Sequence, residues 1–408
     1  MIRITDKHAC CGCAACCGRC PKQCITMCED DEGFLYPTVD ESLCIECGLC
    51  ERVCPVMNPM QPLSPRQVLA AKNIDTRERL SSSSGGIFIG LAREVLRQGG
   101  VVFGAVCDEK WQAVVTYTET VDGVRPMMGS KYMQARVATA YCDCENFLKW
   151  GRLVLFMGSP CQIAGLRTFL HGKSYERLIA VDFLCHGAPS PGVWRRYLRE
   201  TLRDKAVAGT TETKHSVRLP SISVSSIESI EFRNKDYGWK KFSLVVRLKS
   251  ASEDCKNTLL LSDIYHDNAY MRGFLSDIYL RPSCYGCVFK NGRSHSDITI
   301  GDFWGVGRVI PDFDDDKGVS IVIVNTDKGE HLFRRVATET RPASVADASP
   351  CNGGFNEHLR PHRKRNEFFR RYRSGNESVE TIVNSLLHVS FPRRVLRKMK
   401  RMLRRVMS

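Results

Sequence analysis

The fold of the N-terminal region is decided by a run of cysteines, Cys10-x2-Cys13-x2-Cys16-x3-Cys20-Pro21, which recurs 34 residues later as Cys44-x2-Cys47-x2-Cys50-x3-Cys54-Pro55. Three thiolates spaced in this way can surround one face of an inorganic cubane from a single tight loop. The fourth cysteine lies beyond a short turn, so it reaches the cluster of the other run. Soft thiolate ligands favour iron–sulfur clusters or zinc over hard cations.

This double run is typical of bacterial ferredoxins that hold two clusters. We therefore predict two 4Fe-4S clusters whose ligands are exchanged between the runs, one on Cys10, Cys13, Cys16 and Cys54 and the other on Cys44, Cys47, Cys50 and Cys20. A pair of zinc ribbons is the alternative, but ribbons usually have two C-x2-C pairs separated by a longer loop. The four remaining cysteines of this region are predicted to be small buried hydrophobic side chains: Cys11, Cys17, Cys24 and Cys28.

Cysteine usage and charge are both uneven along the chain. Of the 21 cysteines, 12 lie within the first 54 residues. The segment Met1–Lys7 has no hydrophobic signal region, and no apolar run approaches the roughly 18 residues of a membrane span. We therefore expect a cytoplasmic protein that uses its cysteines for metal or redox chemistry, with no disulfide framework. Between Arg360 and Ser408, 15 Lys and Arg stand against three Glu, which accounts for +12 of the net charge of +14.

The remainder of the chain alternates between helical and strand patterns. A helix is predicted at 87–98 and buried strands at 101–106, 153–157, 178–183, 298–300 and 321–324. A stretch rich in Ser and Thr, from Lys205 to about Ser226, is predicted to be an exposed loop. The fold class is therefore α/β or α+β. We divide the chain into a ferredoxin-like domain at 1–58, a larger α/β domain at 66–355 and a basic, partly amphipathic helical tail at 356–408.

The larger domain contains two candidate sites. The turn Ser81–Gly86 precedes a helix, so its glycines, hydroxyls and helix amides predict either a phosphate site or merely a polar helix entrance. Four cysteines lie at predicted strand ends or in a C-x2-C pair: Cys161, Cys185, Cys284 and Cys287. They would suit a third 4Fe-4S cluster, while zinc or unrelated buried thiols are the alternatives.

Two further residues could act beside a redox centre. His186 follows Cys185 and could deliver a proton, because the unperturbed pKa of histidine lies near neutrality. A hydrogen bond to a neighbouring group is the alternative role. Asp302 ends a buried strand and could either line a pocket or cap the following turn. The acidic triplet at 314–316 is predicted to be a solvated turn.

Taken together, the motifs resemble the family of the beta subunits of coenzyme F-420 hydrogenases and dehydrogenases, in the form with a fused N-terminal two-cluster ferredoxin domain. The resemblance extends from about Cys10 to about Asn325. Beyond the cysteine runs it rests on Ser83–Gly86, Gly99-Gly100, Ser130-Lys131-Tyr132, Ser159–Leu166, Cys185–Pro191, Ser283-Cys284-Tyr285-x-Cys287 and Arg293-Ser294-x-Ser296–Gly305.

The resemblance implies a flavin, FAD, in the larger domain and a 4Fe-4S cluster beside it on the four cysteines. It also implies candidate flavin contacts at Ser83, Ser84, Gly85, Gly86, Ser130, Lys131 and Gln162. Use of the deazaflavin itself does not follow, because many members look like bacterial proteins of polysaccharide-related metabolism.

The end of the chain is predicted to be a basic amphipathic helix from Pro392 onward. Such a helix can lie on an anionic membrane at the inner face, or it can dock on the body or on a partner. Nucleic-acid binding is a weaker interpretation, because no recognised module accompanies the charge.

The leading hypothesis is an oxidoreductase that passes electrons between 4Fe-4S clusters and a flavin, with a redox partner protein and a small organic substrate. The alternative is a non-catalytic electron-transfer subunit that serves a partner enzyme.

Overall fold

The computed structural model describes residues 1–208, 222–249, 258–352, 354 and 359–388. Its strands are β1 Ile25–Glu29, β2 Leu35–Val39, β3 Gln67–Asn73, β4 Val101–Cys107, β5 Ala113–Thr118, β6 Val154–Gly158, β7 Leu178–Phe183, β8 Ile227–Asn234, β9 Ser243–Leu248, β10 Thr258–Ile264, β11 Ile298–Asp302, β12 Ser320–Val324 and β13 Thr338–Pro342. Its α-helices are α1 Ala15–Arg19, α2 Leu49–Arg52, α3 Thr76–Ser81, α4 Ile87–Arg97, α5 Val121–Val124, α6 Ala140–Lys149, α7 Pro160–Phe169, α8 Pro191–Ala208, α9 Ala269–Leu275, α10 Val306–Val309, α11 Asp327–Phe333, α12 Val345–Ala348, α13 Arg365–Ser374 and α14 Val379–Leu387. No helix in the described part of the chain is long and apolar enough to cross a membrane.

The N-terminal region has the secondary structure expected of a small cysteine-rich domain. Strands β1 and β2 form an antiparallel hairpin in which Ile25 pairs with Val39. The short helices α1 and α2 lie within the two cysteine runs and carry Cys16 and Cys50. Both thiols are buried in one small cluster together with Cys24 and Cys54. Cysteines, with few other apolar side chains, therefore make up most of the core of this region.

The larger domain is built on an eight-stranded sheet with the order β13-β3-β12-β11-β7-β6-β4-β5. The four central strands β11, β7, β6 and β4 are parallel, and the remaining four pair antiparallel at the two sides. The side chains of β4 alternate between the two faces of the sheet. Val101 and Phe103 pack in the apolar cluster on one face, and Val102 packs in the cluster on the other. Such short, continuous apolar strands are typical of a sheet that is covered on both faces.

A second sheet with the order β10-β9-β8 packs beside the first. Its apolar face shares a core with α8 and α9, where Trp194 and Tyr270 are fully buried. Helices α13 and α14 contribute Phe368 and Ile382 to the same core. The first helices after residue 355 are therefore part of the packed body.

The N-terminal region packs directly against the larger domain. Ala15 and Val53 belong to the apolar cluster on one face of the large sheet. The hydroxyl of Thr168 in α7 donates a hydrogen bond of 2.7 Å to the carbonyl of Val53. Ion pairs also cross the interface, from Arg19 to Glu145 and from Arg365 to Glu32. The cysteine-rich region is thus fixed in place relative to the sheet.

Most of the predicted elements are confirmed. The helix predicted at 87–98 is α4, and all five predicted buried strands are present. The fold class is the predicted mixed α/β arrangement. The start of the predicted loop at Lys205 is wrong, because α8 continues to Ala208; residues 209–221 lie outside the described residues. The helix predicted from Pro392 onward also lies outside them, and the three domain boundaries stay predictions.

The packing of α7 leads to a first testable prediction. A Cβ atom added to Gly165 would lie 2.9 Å from Cys13 Cβ and 2.8 Å from the Tyr141 hydroxyl. Because overpacking of this kind costs about 1–3 kcal/mol, Gly165→Ala should lower the thermal unfolding midpoint and loosen the N-terminal region. The control is Gly18→Ala at the same interface, whose Cβ would lie 3.3 Å from the Phe169 ring. Equal unfolding midpoints for the two variants would contradict this packing.

Candidate redox site

The first predicted set of cysteines is gathered beneath the surface. Cys13, Cys16 and Cys54 are buried, and Cys10 is half-buried. Burial, together with charge repulsion from the neighbouring Cys10 and Cys54, raises the pKa of the Cys16 thiol to about 12. Cys54 therefore lies beside the first run of cysteines, as the exchange of ligands between runs requires.

The second predicted set lines a small pocket close to the surface. Its members Cys20, Cys44, Cys47 and Cys50 all contribute to the wall of this pocket. Cys47 is exposed, while Cys50 is buried. Cys24 also lines the pocket, and its sulfur lies 3.3 Å from that of Cys20. The sequence pattern assigns Cys24 no such position, because it lies outside the repeat.

The third set is assembled at the carboxyl ends of neighbouring parallel strands. Cys161 lies in the first turn of α7, directly after β6, and Cys185 follows β7. Cys284 and Cys287 come from a 3-10 turn that begins at Pro282. Burial raises the pKa of Cys185 well above its usual value, and the other three thiols raise it further. All four side chains line one cavity.

The chemistry of the three sets fits iron–sulfur clusters. Closely placed buried thiolates repel one another, and bound metal offsets this repulsion because its positive charge compensates the negative charge of the thiolates. Each set consists of four cysteines, and soft thiolate ligands of this number fit an iron–sulfur cubane.

Cys11 connects the first and third sets. It is buried, as predicted, and it shares one buried cluster with Cys13, against which Cys161 packs. Cys24 is also buried and Cys17 is half-buried. The prediction for Cys28 is wrong: this thiol is exposed on strand β1 and lies 3.6 Å from the Thr26 hydroxyl. An alternating strand places every second side chain on the solvent side.

A cavity of about 1060 Å³ opens at the same strand ends, and we call it the central cavity. Its wall includes many aromatic side chains: Phe88, Tyr132, Phe183, Phe242, Tyr265, Phe274 and Trp304. Five Lys and Arg line it against two Asp, so its described lining carries an excess of positive charge. A large, mostly apolar cavity with a few polar groups is typical of a cofactor or ligand site.

The serine–glycine turn lies at the edge of the central cavity, but its members differ. Ser83, Ser84 and Gly86 line the cavity, whereas Gly85 does not. A Cβ on Gly85 would lie 2.5 Å from the carbonyl of Ala71, so this glycine permits close packing on the sheet. The Ser84 hydroxyl donates to the Val319 carbonyl, and the Ser83 hydroxyl accepts from the amide of Ser130 at 2.7 Å.

The other predicted cofactor contacts also line the cavity, but their polar groups already have partners. The Lys131 ammonium donates to three backbone carbonyls, those of Pro126, Met128 and Gly129. Burial lowers the pKa of this lysine to about 8. The Gln162 side chain accepts from the Ser159 amide and forms a capping box at the start of α7. Lys131 and Gln162 therefore shape the wall, and direct binding through their polar groups requires rearrangement.

His186 lies beside the third cysteine set with a defined partner. Its Nε2 is 2.6 Å from Oδ1 of Asp277, and its ring packs edge-on against Phe274. Both His186 and Phe274 line the central cavity. The Asp277 carboxylate would therefore hold the imidazole ring in one orientation.

An arginine that the sequence motifs did not reveal also lines the central cavity. Arg233 of β8 makes a two-pronged ion pair with Asp302, whose role as a cavity-lining residue is confirmed. The guanidinium also stacks 4.0 Å from the centre of the Phe242 ring. Trp239 donates to Asp302 and lies flat against Trp304. No local sequence pattern indicates this residue, since it lies 69 positions from its partner.

Comparison with known proteins identifies two segments of the chain. Residues 151–344 match the family described as the C terminus of the beta subunit of coenzyme F420 hydrogenase/dehydrogenase. Residues 37–57, which contain the second cysteine run, match a 4Fe-4S binding domain.

Among curated proteins, a subunit of the F(420)H(2) dehydrogenase of Methanosarcina mazei is 24% identical over 197 residues, which are 45% of this chain and 55% of the relative. The coenzyme F420-dependent sulfite reductase of Methanocaldococcus jannaschii is 26% identical over 174 residues, which are 41% of this chain and 26% of the relative. The chain thus spans about half or less of these relatives.

A solved chain of the F420-reducing NiFe hydrogenase complex of Methanosarcina barkeri is similar at 17% identity with a TM-score of 0.44, covering 71% of this chain and 85% of that one. From the family matches, residues 151–344 form a domain of the family found at the C terminus of the coenzyme F420 hydrogenase/dehydrogenase beta subunit, in a chain that also carries a 4Fe-4S binding domain.

Proposed function

We propose that this protein is an iron–sulfur oxidoreductase that passes single electrons through three 4Fe-4S centres to a redox cofactor in the central cavity, or in the reverse direction. The observation that carries the proposal is the serial placement of the cysteine sets. The second set lies at a surface pocket, the first set lies deeper, and the third lines the central cavity. The family matches support the same chemistry.

The order of the centres follows from contacts between the sets. Burial raises the pKa of Cys54, and both Cys10 and Cys50 raise it further, so this cysteine lies between the first and second sets. Cys11 connects the first set to the third, since it packs in one cluster with Cys13 and Cys161. The second cysteine set would hold an outer centre, the first set a middle centre and the third set an inner centre. Each centre, when bound, would supply one-electron transfer, which requires no change in covalent bonds.

The central cavity suits a planar ring cofactor that carries phosphate groups. Its aromatic wall can stack on a ring system, and its excess of Lys and Arg suits negative charge. The N-terminus of α4 begins at the cavity wall with Gly86, where helix amides favour an anion. We propose FAD as this group, with the deazaflavin of the named relatives as the competing ring. Either ring, when bound, exchanges electrons in pairs with an organic substrate.

His186 is proposed to exchange the proton that accompanies a two-electron step. It lines the central cavity beside the third cysteine set, and Asp277 holds its ring in place. The organic substrate is proposed to belong to polysaccharide-related metabolism, as the sequence resemblance implies. For the basic tail after residue 388, we propose docking on an anionic membrane surface.

Metal and flavin analysis tests this function. The protein is purified without oxygen, and iron, sulfide and releasable flavin or deazaflavin are quantified per chain. About twelve irons are expected, and Cys284→Ala should reduce the number to about eight. Cys107→Ala is the matched control, because this half-buried thiol does not line the central cavity. About eight irons in the unaltered protein, with no change in Cys284→Ala, would overturn the third centre.

A non-catalytic electron-transfer subunit is the second candidate. It is favoured by the exposed apolar residues Leu43 and Ile45, which flank Cys44 and are 54% and 57% exposed. Exposed apolar residues beside a surface centre suit docking of a redox partner. A preparation with full iron and no ring cofactor would support this candidate over the oxidoreductase.

A further inference from the structure

A buried arginine lies where the cysteine-rich region meets the larger domain. Arg281 is 1% exposed, and its Nε donates to the carbonyl of Cys10 at 2.8 Å. One terminal nitrogen donates to the Gln134 side chain at 2.9 Å, and the other donates to the carbonyl of Leu35 at 2.9 Å. The second terminal nitrogen also lies 3.6 Å from the sulfur of Cys10.

The guanidinium is held rigidly in this position. Its centre lies 4.2 Å from the centre of the Tyr36 ring. A Cβ on Gly12 would lie 2.8 Å from Nη1, so the backbone of the first cysteine run approaches the arginine as closely as glycine permits. Gly12 also has a φ of 71°, which favours glycine. The loop and the arginine are therefore fitted to each other.

Arg281 lacks the partner that a buried cation normally has. Its hydrogen-bond acceptors are carbonyl oxygens, an amide oxygen and a sulfur, and within the described residues it forms no ion pair with a carboxylate. The other two well-buried arginines of the site region and interface differ in this respect, since Arg233 pairs with Asp302 and Arg365 with Glu32. Burial of an uncompensated charge is costly, so a nearby negative charge is expected.

We propose that Arg281 is the counter-ion of the iron–sulfur centre held by Cys10, and that its charge raises the reduction potential of this centre. This inference rests on the proposed iron–sulfur function. Four thiolates around an iron–sulfur cubane carry net negative charge, and reduction adds one more. A fixed cation beside one ligand therefore stabilises the reduced form, as hydrogen bonds and charges near the sulfurs do in general.

The position of Arg281 also relates the first centre to the third. Its backbone amide donates to the carbonyl of Ala188, and its carbonyl accepts from the amide of Cys284, both at 2.9 Å. Arg281 directly precedes the turn that carries Cys284 and Cys287. A single residue thus contacts a ligand of the middle centre through its side chain and a ligand of the inner centre through its backbone. We infer that it sets the electron affinity of the middle centre.

The test is a redox titration of the holoprotein followed by electron paramagnetic resonance. Arg281→Gln should move the midpoint potential of the middle centre to a more negative value, while iron content stays unchanged. Arg281→Lys, which keeps the charge, should stay closer to the unaltered protein. Arg19→Gln is the control, because Arg19 crosses the same interface but pairs with Glu145. Unmoved midpoints in Arg281→Gln at full iron content would overturn the inference.

A second variant covers the case in which Arg281→Gln loses iron. Gln134→Glu places a carboxylate at the atom that already accepts from Nη1, so it compensates the charge without removing the arginine. The inference expects a more negative midpoint for the middle centre, and an unmoved midpoint would overturn it. If the unaltered protein itself bound no iron, the proposed function would fail, which is a different outcome from full iron with unmoved midpoints.

Discussion

Replacing Cys16 and Cys54 together is expected to remove no more iron than replacing either one alone, about four atoms per chain. The reason is that both thiols belong to one set, since Cys54 lies beside Cys16 and Cys10 although it belongs to the second run. Cys16→Ala with Cys20→Ala should instead remove about eight, because Cys20 lies at the pocket of the second run. Iron and acid-labile sulfide per chain, measured without oxygen, check both numbers.

The two ways of dividing the ligands give opposite results in this experiment. If each run held its own cluster, the pair in one run would remove about four irons and the pair across runs about eight. Cys28→Ala is the control, because this exposed thiol belongs to none of the three sets. We also expect loss of folded structure in the N-terminal region of the double variants, since its core consists largely of these cysteines.

Arg233→Met is expected to lower the free energy of unfolding by about 3–5 kcal/mol, because it leaves the carboxylate of Asp302 without its cationic partner. The Arg233 side chain is 4% exposed and that of Asp302 is 18% exposed, so water compensates little. The arginine also forms part of the cavity wall, and retention of the ring cofactor should fall. Urea unfolding of samples with equal iron content measures the first effect, and released cofactor per chain measures the second.

Adding Asp302→Asn to Arg233→Met should recover part of the lost stability, since the uncompensated charge is then absent. Arg247→Met serves as the control on the same small sheet. Its ion pairs with Glu231 and Asp236 are long, at 3.8 and 3.9 Å, and its side chain is 33% exposed. A change of under about 1 kcal/mol is expected there. Equal losses in Arg233→Met and Arg247→Met would contradict the structural role of the buried pair.

The elements that could be predicted from sequence are those specified by local pattern. Strand β7 is a continuous apolar run, so the prediction at 178–183 matches its ends. Helix α4 was predicted to within a residue, because a glycine precedes it and its apolar positions follow the helical period. The loop predicted from Lys205 is wrong at its start, since α8 continues to Ala208. Lys205, Ala206 and Ala208 are good helix formers, so local propensity here favours the helix over the loop.

The sequence by itself determined the cysteine repeat, because ligand spacing along a loop is a local property of the chain. It also placed Cys161 and Cys185 after strands, and parallel neighbours bring strand ends together. Only the tertiary structure decided that Cys11 joins two sets, that Lys131 is held by carbonyls, and that Arg281 and Arg233 are buried. Arg281 lies 271 positions from Cys10. Contacts over such distances leave no periodic signal, since they arise from how separate elements pack.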